Sequence, residues 1–194
     1  MYTIPVSIEL NNVTFPIRNK GDYRMVLDCF SALEDIELAP LERIYAALII
    51  FYADINSMDD LNKLPDIREA IQKMFDFFNC NRANGVGKQT NYKLIDWQQD
   101  EQLVCAAINK VANTEIRLES YIHWWTFMGY YAAIGECPLS TILSIRHKLV
   151  TGRPLEKHEQ RFKRENPEYF VWNSLSSTDT EADKFIREMW DNGV

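Results

Sequence analysis

The amino-acid sequence predicts a mainly α-helical fold: a compact domain of about six to seven helices, preceded by an N-terminal β-hairpin. From residue 22 onward, apolar residues recur with the 3.6-residue period of amphipathic helices. Residues 2–17 instead alternate apolar and polar side chains, as strands do. The 194 residues are 46% hydrophobic and 12% aromatic, which supplies enough apolar surface for one domain core.

The hairpin is predicted within residues 1–19. Its centre is the pair Asn11-Asn12, which suits a two-residue turn because asparagine tolerates a positive φ. Pro5 and Pro16 have no N–H to donate, so both strands are expected at sheet edges. Since an isolated two-stranded hairpin is marginally stable in water, we expect it to pack on the helical domain.

The helical domain is predicted over residues 20–170. Three amphipathic helices are expected to begin near Asp22, Pro40 and Pro65, followed later by a helix from Pro138 and a charged helix over 155–165. A fourth helix is predicted to begin at Asp96, because Asp96 and Gln99 have the spacing of a capping box.

The stretch 121–134 is predicted to be the central helix of this domain. It is rich in aromatic residues and apolar around nearly its whole circumference, which is typical of a helix buried on several sides. It is too short to span a bilayer, which requires roughly 20 apolar residues. Five of its members are expected in the core, namely Tyr121, His123, Trp124, Trp125 and Phe127.

Residues 79–93 are predicted to form a mobile loop, because they contain four asparagines and two glycines. The segment Gly85-Val86-Gly87-Lys88 lacks the glycine spacing and the Lys-Ser/Thr pair of a phosphate-binding loop. We therefore expect no nucleotide to bind there, although the loop is one candidate for a partner-binding surface.

Residues 171–194 are predicted to form a linker and a C-terminal amphipathic helix, which begins at the capping box of Thr178 and Glu181. One apolar stripe runs along this helix. The stripe either docks back on the domain or binds a partner. Its candidate partner-binding residues are Phe185, Ile186, Met189 and Trp190.

Charge and cysteine usage narrow the functional classes. The formal net charge of −7 argues against a general binder of nucleic-acid backbones, and the seven Lys or Arg against two Glu over 146–164 are expected on a solvated face. The four cysteines have no paired spacing, which predicts reduced thiols. The N-terminus lacks the pattern of a signal peptide, so we expect a cytoplasmic protein with no membrane association.

His123 is the best single candidate for acid–base chemistry, because an unperturbed histidine titrates near neutral pH. Its aromatic neighbours favour a hydrogen-bonded core histidine instead. The sequence contains no recognised catalytic, nucleotide-binding or zinc-binding motif. We therefore expect no enzymatic activity, no cofactor and no metal.

Three motifs occur in a fixed order and carry a resemblance. They are Asp96-Trp97-Gln98-Gln99-Asp100, then Ala106-Ala107-Ile108, then Tyr121-Ile122-His123-Trp124-Trp125-Thr126-Phe127. Together with Asp22-Tyr23-Arg24 and Glu42–Leu48 near the N-terminus, they resemble the bacteriophage gene-product-fifteen family over about residues 20–170. The segment Leu94–Trp97 departs from the family's more frequent Tyr-Asp-Phe, and the C-terminal helix has no place in the pattern.

The resemblance implies a protein of long-tailed phages or prophages and carries over no catalytic residue. It implies a tail assembly chaperone that acts in the host cytoplasm, binds the tape measure protein, recruits the major tail protein and is absent from the finished virion. A structural tail or head–tail component and a small enzyme that uses His123 are the alternatives. The sequence leaves the oligomeric state open, a homo-oligomer included.

Overall fold

The computed structural model describes residues 3–81 and 94–171, and these residues are mainly α-helical. An N-terminal hairpin of β1 (Ser7–Leu10) and β2 (Val13–Pro16) precedes the helices. The described ranges contain seven α-helices: α1 (Tyr23–Glu34), α2 (Pro40–Phe51), α3 (Ile67–Phe78), α4 (Glu101–Ala112), α5 (Trp124–Ala132), α6 (Pro138–Val150) and α7 (Lys157–Glu165). The predicted fold class is therefore confirmed. Within these ranges no helix has the length and apolar character that crossing a membrane requires.

The described residues fall into two compact units. The first unit comprises residues 3–81 and 121–128, and the second comprises 94–120 and 129–171. Helix α5 therefore begins in the first unit and ends in the second.

The hairpin of the first unit turns at the predicted asparagines. Asn11 and Asn12 both have a positive φ, of 47° and 64°, as the favoured two-residue hairpin turn requires. The strands pair antiparallel, with Ser7 opposite Pro16 and Leu10 opposite Val13. The chain then crosses to the end of α2, where the amide of Ala53 donates to the Pro16 carbonyl at 2.9 Å.

Arg18 satisfies the carbonyl groups at the C-terminal end of α2. Its guanidinium donates to the carbonyl oxygens of Ile49, Ile50, Tyr52 and Ile55 at 2.7–3.1 Å. The last carbonyls of a helix have no partner within that helix, and a cation there also interacts favourably with the helix dipole. One side chain thus joins the segment after the hairpin to the end of α2.

Side-chain caps explain where α1, α2 and α3 begin. The carboxylate of Asp22 accepts from the amide of Arg24 at 3.0 Å, and that of Asp66 accepts from the amide of Arg68 at 2.8 Å. At the start of α2, Glu42 accepts from the amide of Ala39 at 2.8 Å. Each cap satisfies an amide that the helix itself leaves unpaired.

Two predicted helix starts are wrong. Helix α4 begins at Glu101 rather than at Asp96, because residues 97–100 form a separate turn. Helix α5 begins at Trp124 rather than at residue 121, because the preceding residues form a backbone bridge between His123 and Asp22. Before α5, hydrogen bonds to the start of α1 replace the expected first helical turn, and before α4 a local turn capped by Asp96 takes its place.

Candidate functional site

The aromatic motif meets the start of α1 in the first unit, and Asp22 is at the centre of this junction. The amide of Tyr23 donates to the carbonyl of Ile122 at 2.9 Å, and the amide of Ile122 donates to the Asp22 carboxylate at 3.0 Å. The same buried carboxylate caps α1 and pairs with the guanidinium of Arg24 at 3.2 Å. Asp22 therefore joins α1 to the segment that leads into α5.

His123 is held in one neutral tautomer. Its Nδ1 lies 3.1 Å from the amide nitrogen of Trp125, and because an amide can only donate, Nδ1 accepts this hydrogen bond. The proton is therefore on Nε2, which donates to the carbonyl of Pro5 at 2.9 Å. Burial lowers the pKa of His123, although the Pro5 carbonyl and the Asp22 charge oppose the shift. With 2% of its surface exposed, the imidazole is a structural link to the N-terminal strand region.

The two tryptophans cap the C-terminal end of α3. The indole N–H of Trp124 donates to the carbonyl of Phe78 at 2.8 Å, and that of Trp125 donates to the carbonyl of Phe77 at 2.9 Å. The carbonyl of Phe77 also accepts from the amide of Cys80 at 3.0 Å. The consecutive tryptophans thus recognise consecutive carbonyls of one helix end.

The rings of this motif also form much of the core of the first unit. Trp124 is 1% exposed and stacks on Phe127, with 5.5 Å between the ring centroids. On the other side of Phe127, Tyr23 stacks at 4.6 Å, while Phe30 contacts Trp124 edge to face at 5.7 Å. Trp125 is only half-buried, because it lies farther round the helix.

Tyr121 differs from the expectation that it lies in the core. It precedes α5 and is 41% exposed, and its hydroxyl donates to the carbonyl of Lys20 at 3.0 Å. Gly21, the residue after Lys20, allows the close approach of the motif. Its φ is +78°, and a Cβ there would lie 2.8 Å from the Phe77 ring and 3.0 Å from His123 Nε2.

A second cluster forms in the second unit around the Asp96–Asp100 motif. Asp100 is fully buried and pairs with Arg146, which is 3% exposed, through two hydrogen bonds, one of them 2.9 Å between Nη2 and Oδ1. Asp100 also accepts from the amide of Asp96 at 3.0 Å, and Asp96 in turn caps the 97–100 turn. The motif therefore forms a self-contained turn around a buried carboxylate.

The same cluster holds the segment after α7. Arg146 donates from Nε to the carbonyl of Tyr169 at 2.9 Å and from Nη1 to the carbonyl of Leu94 at 2.9 Å. Gln99 donates to the carbonyls of Glu168 and Val171 at 3.0 and 2.9 Å. The family motif and Arg146 thus hold two chain segments, one at Leu94 and the other at residues 168–171.

Arg146 corrects the expectation that the basic residues of 146–164 lie on a solvated face. It lies four residues after Ile142 on the buried face of α6, and this spacing was the available signal in the sequence. Lys148 is also engaged, since its ammonium pairs with Glu159 at 2.7 Å and lowers the pKa of that carboxyl. Only part of the run is solvated.

Several predicted features lie outside the described residues. They include most of the loop at 79–93 and the C-terminal residues Phe185, Ile186, Met189 and Trp190. Within residues 3–81 and 94–171, no group of three His, Cys, Asp or Glu side chains is arranged to hold a metal ion.

We expect the titration of His123 to make stability pH-dependent. Its folded pKa is below the usual 6.5, so below about pH 6.5 the unfolded chain binds the proton more readily than the folded chain. Protein stability should therefore fall as the pH is lowered through this window. Urea unfolding at about pH 7.5 and pH 5 measures the loss, and His123→Gln, which keeps a donor for Pro5 but does not titrate, should lose less.

Equal losses of unfolding free energy in the wild type and in His123→Gln between the two pH values would contradict this assignment.

Comparison with known proteins identifies the family to which the chain belongs. A family model described as "Bacteriophage Gp15 protein" matches residues 2–170, a range that contains both motif clusters and all seven helices described above. No curated protein and no solved structure matches the chain. The match confirms the resemblance seen in the sequence. The chain belongs to the bacteriophage Gp15 protein family, which indicates a structural or assembly role in a phage.

Proposed function

We propose that the protein is a non-catalytic tail assembly chaperone, which binds the tape measure protein in the host cytoplasm and aids assembly of the tail tube. The observation that carries the proposal is membership of the Gp15 family over residues 2–170. Under this proposal, the protein covers the apolar faces of tape-measure helices before the tail tube assembles around them.

The geometry of the family motifs supports a binding role over a catalytic one. Both ring nitrogens of His123 are engaged, one with the amide of Trp125 and the other with the carbonyl of Pro5. A general base needs a nitrogen within hydrogen-bond reach of its substrate, and His123 would first have to break one of these contacts. His123 therefore serves as part of a structural scaffold, and we infer that a partner binds at another surface.

Co-expression with the tape measure protein of the same phage tests the proposal. We expect the tape measure protein to become soluble and to copurify with the full-length chain. A tape measure protein that remains insoluble, with no complex on affinity purification, would contradict a chaperone role. A Tyr121→Phe variant is a suitable positive control, because it changes a family-motif residue at the surface while it retains the ring.

Mass spectrometry of purified virions distinguishes the proposal from a structural tail or head–tail component. We expect the protein in lysates of infected cells and not in the virion. Stoichiometric amounts in the virion would instead indicate a structural component.

A further inference from the structure

A shallow groove of about 410 Å³ opens on the surface of the first unit. Helix α2 forms one wall of the groove. The 3₁₀ turn at Asp59–Lys63 and the start of α3 form the other wall. The residues that line the groove are Tyr45, Met58, Leu61, Asn62, Leu64 and Ile67. Five of the six are apolar or aromatic, and polar and apolar atoms contribute comparable surface to the groove.

The apolar side chains of this groove are partly uncovered. Met58 is 52% exposed. Leu41, which is 55% exposed, lies four residues before Tyr45 and hence on the same face of α2 one turn earlier. Leu41 therefore extends the apolar surface along the helix. Contiguous exposed apolar surface of this kind marks interaction sites more often than isolated exposed residues do.

The backbone around the groove has no free edge for an added strand. Two of its walls are helices, and the amides of the intervening turn are already engaged: Asp60 donates to the Ser57 carbonyl, Leu61 to that of Met58, and Leu64 to that of Leu61. A ligand therefore has to bind through side chains. An α-helix with an apolar stripe meets this requirement, because residues three and four apart insert into one groove.

The sequence segment that forms the groove is acidic. Residues 34–69 contain nine Asp or Glu and three Lys or Arg, a net charge of −6 in a chain whose total is −7. Asp59 is exposed beside Met58, and Asp60 pairs with Lys63 at 2.7 Å, which lowers the pKa of Asp60 and keeps it ionised. The groove thus lies in a strongly acidic segment of the sequence.

This charge argues against the two occupants that the chain itself supplies. Residues 178–194, which include the predicted C-terminal stripe, contain five acidic and two basic residues. A second copy would bring a further net charge of −7. Like charges at an interface are unfavourable and act against such partners, so the groove favours a partner of positive charge.

We propose that this groove, extended by Leu41, binds an amphipathic α-helix whose apolar stripe is flanked by lysine or arginine. The inference rests on the proposed function, under which the helix belongs to the tape measure protein. Met58, Leu41 and Tyr45 contact the apolar stripe. Asp59 and its acidic neighbours attract the basic flanks and raise the rate of association at low salt.

Binding of purified full-length protein to helical fragments of the tape measure protein tests the groove. In Leu41→Gln/Met58→Gln, two exposed apolar contacts are lost, and we expect affinity to fall about tenfold or more. Leu118→Gln is the matched control, because Leu118 is 84% exposed in the second unit and lines no part of the groove. Since all three side chains are exposed, the midpoints of thermal unfolding should stay close to that of the wild type.

Charge reversal tests the acidic surroundings separately. Asp59→Lys should weaken binding several-fold at low salt and make the affinity less dependent on salt. Glu136→Lys is the control, because Glu136 is an exposed acid of the second unit. It should change the affinity and its salt dependence less than Asp59→Lys does. Retention of wild-type affinity by the groove variants would overturn the groove and leave the chaperone role intact. Failure of the wild type to bind any fragment would overturn both proposals. Self-association that the groove variants abolish would identify a second copy as the occupant and would also overturn the inference.

Discussion

Asp100→Ala is expected to lower the free energy of unfolding of the second unit by about 3–5 kcal/mol, because it leaves the buried guanidinium of Arg146 without its counter-charge. Both side chains are almost wholly buried, at 3% and 0% exposure, so water cannot replace the lost partner. The amide of Asp96 also loses its acceptor. A loss of this size is comparable to the total stability of many domains.

Amide hydrogen exchange followed by mass spectrometry is the appropriate measurement, because it reports on each unit separately. Protection should fall in α4, in α6 and in residues 167–171, which Arg146 and Gln99 hold. Glu101→Ala is a control at the adjacent exposed position. Loss of protection no greater than in this control would contradict the role of the pair.

A double variant, Asp100→Leu/Arg146→Met, separates two contributions to stability. One is the cost of a buried charge without its counter-charge, and the other is the stabilisation that the ion pair provides. Replacement of both partners by apolar residues removes the uncompensated charge, so the double variant should be less destabilised than the sum of Asp100→Leu and Arg146→Met. It should not recover fully, because the carbonyls of Leu94 and Tyr169 still lose a donor. Strictly additive losses would show that the two side chains do not act as a pair.

The sequence predicts the helices whose signals are local. Helices α2 and α6 begin with Pro40 and Pro138 at their first positions, as expected from the constraint that proline places on φ. The asparagine turn of the hairpin also follows from the conformational preferences of two adjacent residues. Such features depend on residues within a few positions of one another, so they can be recognised without tertiary information.

The start of α4 does not follow from local sequence patterns alone. Asp96 and Gln99 have the spacing of a capping box, and Asp96 does cap a turn there. The helix is nevertheless delayed to Glu101, because Asp100 is drawn to Arg146, 46 residues away in sequence. A local pattern cannot show which of two buried acidic residues in one motif pairs with a distant arginine.

The aromatic motif shows the same limit. Its sequence predicts that Trp124 is a core residue, but the recognition of α3 carbonyls by both indoles joins residues 46 and 48 positions apart. The location of the groove depends likewise on how α2 meets the turn at Asp59–Lys63. These features arise from packing, whereas the family resemblance arises from the order of the motifs themselves.

Trp124→Ala is expected to destabilise the first unit by about 3–5 kcal/mol, since it removes a large buried side chain and leaves a cavity. The ring is 1% exposed and contacts Phe30 and Phe127. The carbonyl of Phe78 also loses the indole donor. A lower urea midpoint and lost hydrogen-exchange protection in α1 and α3 are the expected results, and a milder substitution separates the lost ring from the lost hydrogen bond.

Trp124→Phe is that substitution, because it keeps an aromatic ring in the core and removes the N–H that caps α3. The loss of one hydrogen bond costs about 0.5–1.5 kcal/mol, so we expect a loss of at least this size, to which the smaller ring adds. Trp125→Phe removes an N–H from a half-buried ring, and it should cost less because water reaches this ring more readily and the Phe77 carbonyl keeps the amide of Cys80 as a donor. Equal losses of stability in Trp124→Phe and Trp125→Phe would show that burial does not determine how much each indole hydrogen bond stabilises the protein. The observed order of the two losses therefore tests whether Trp124 acts mainly as a core ring that also caps a helix, while Trp125 acts mainly as a cap.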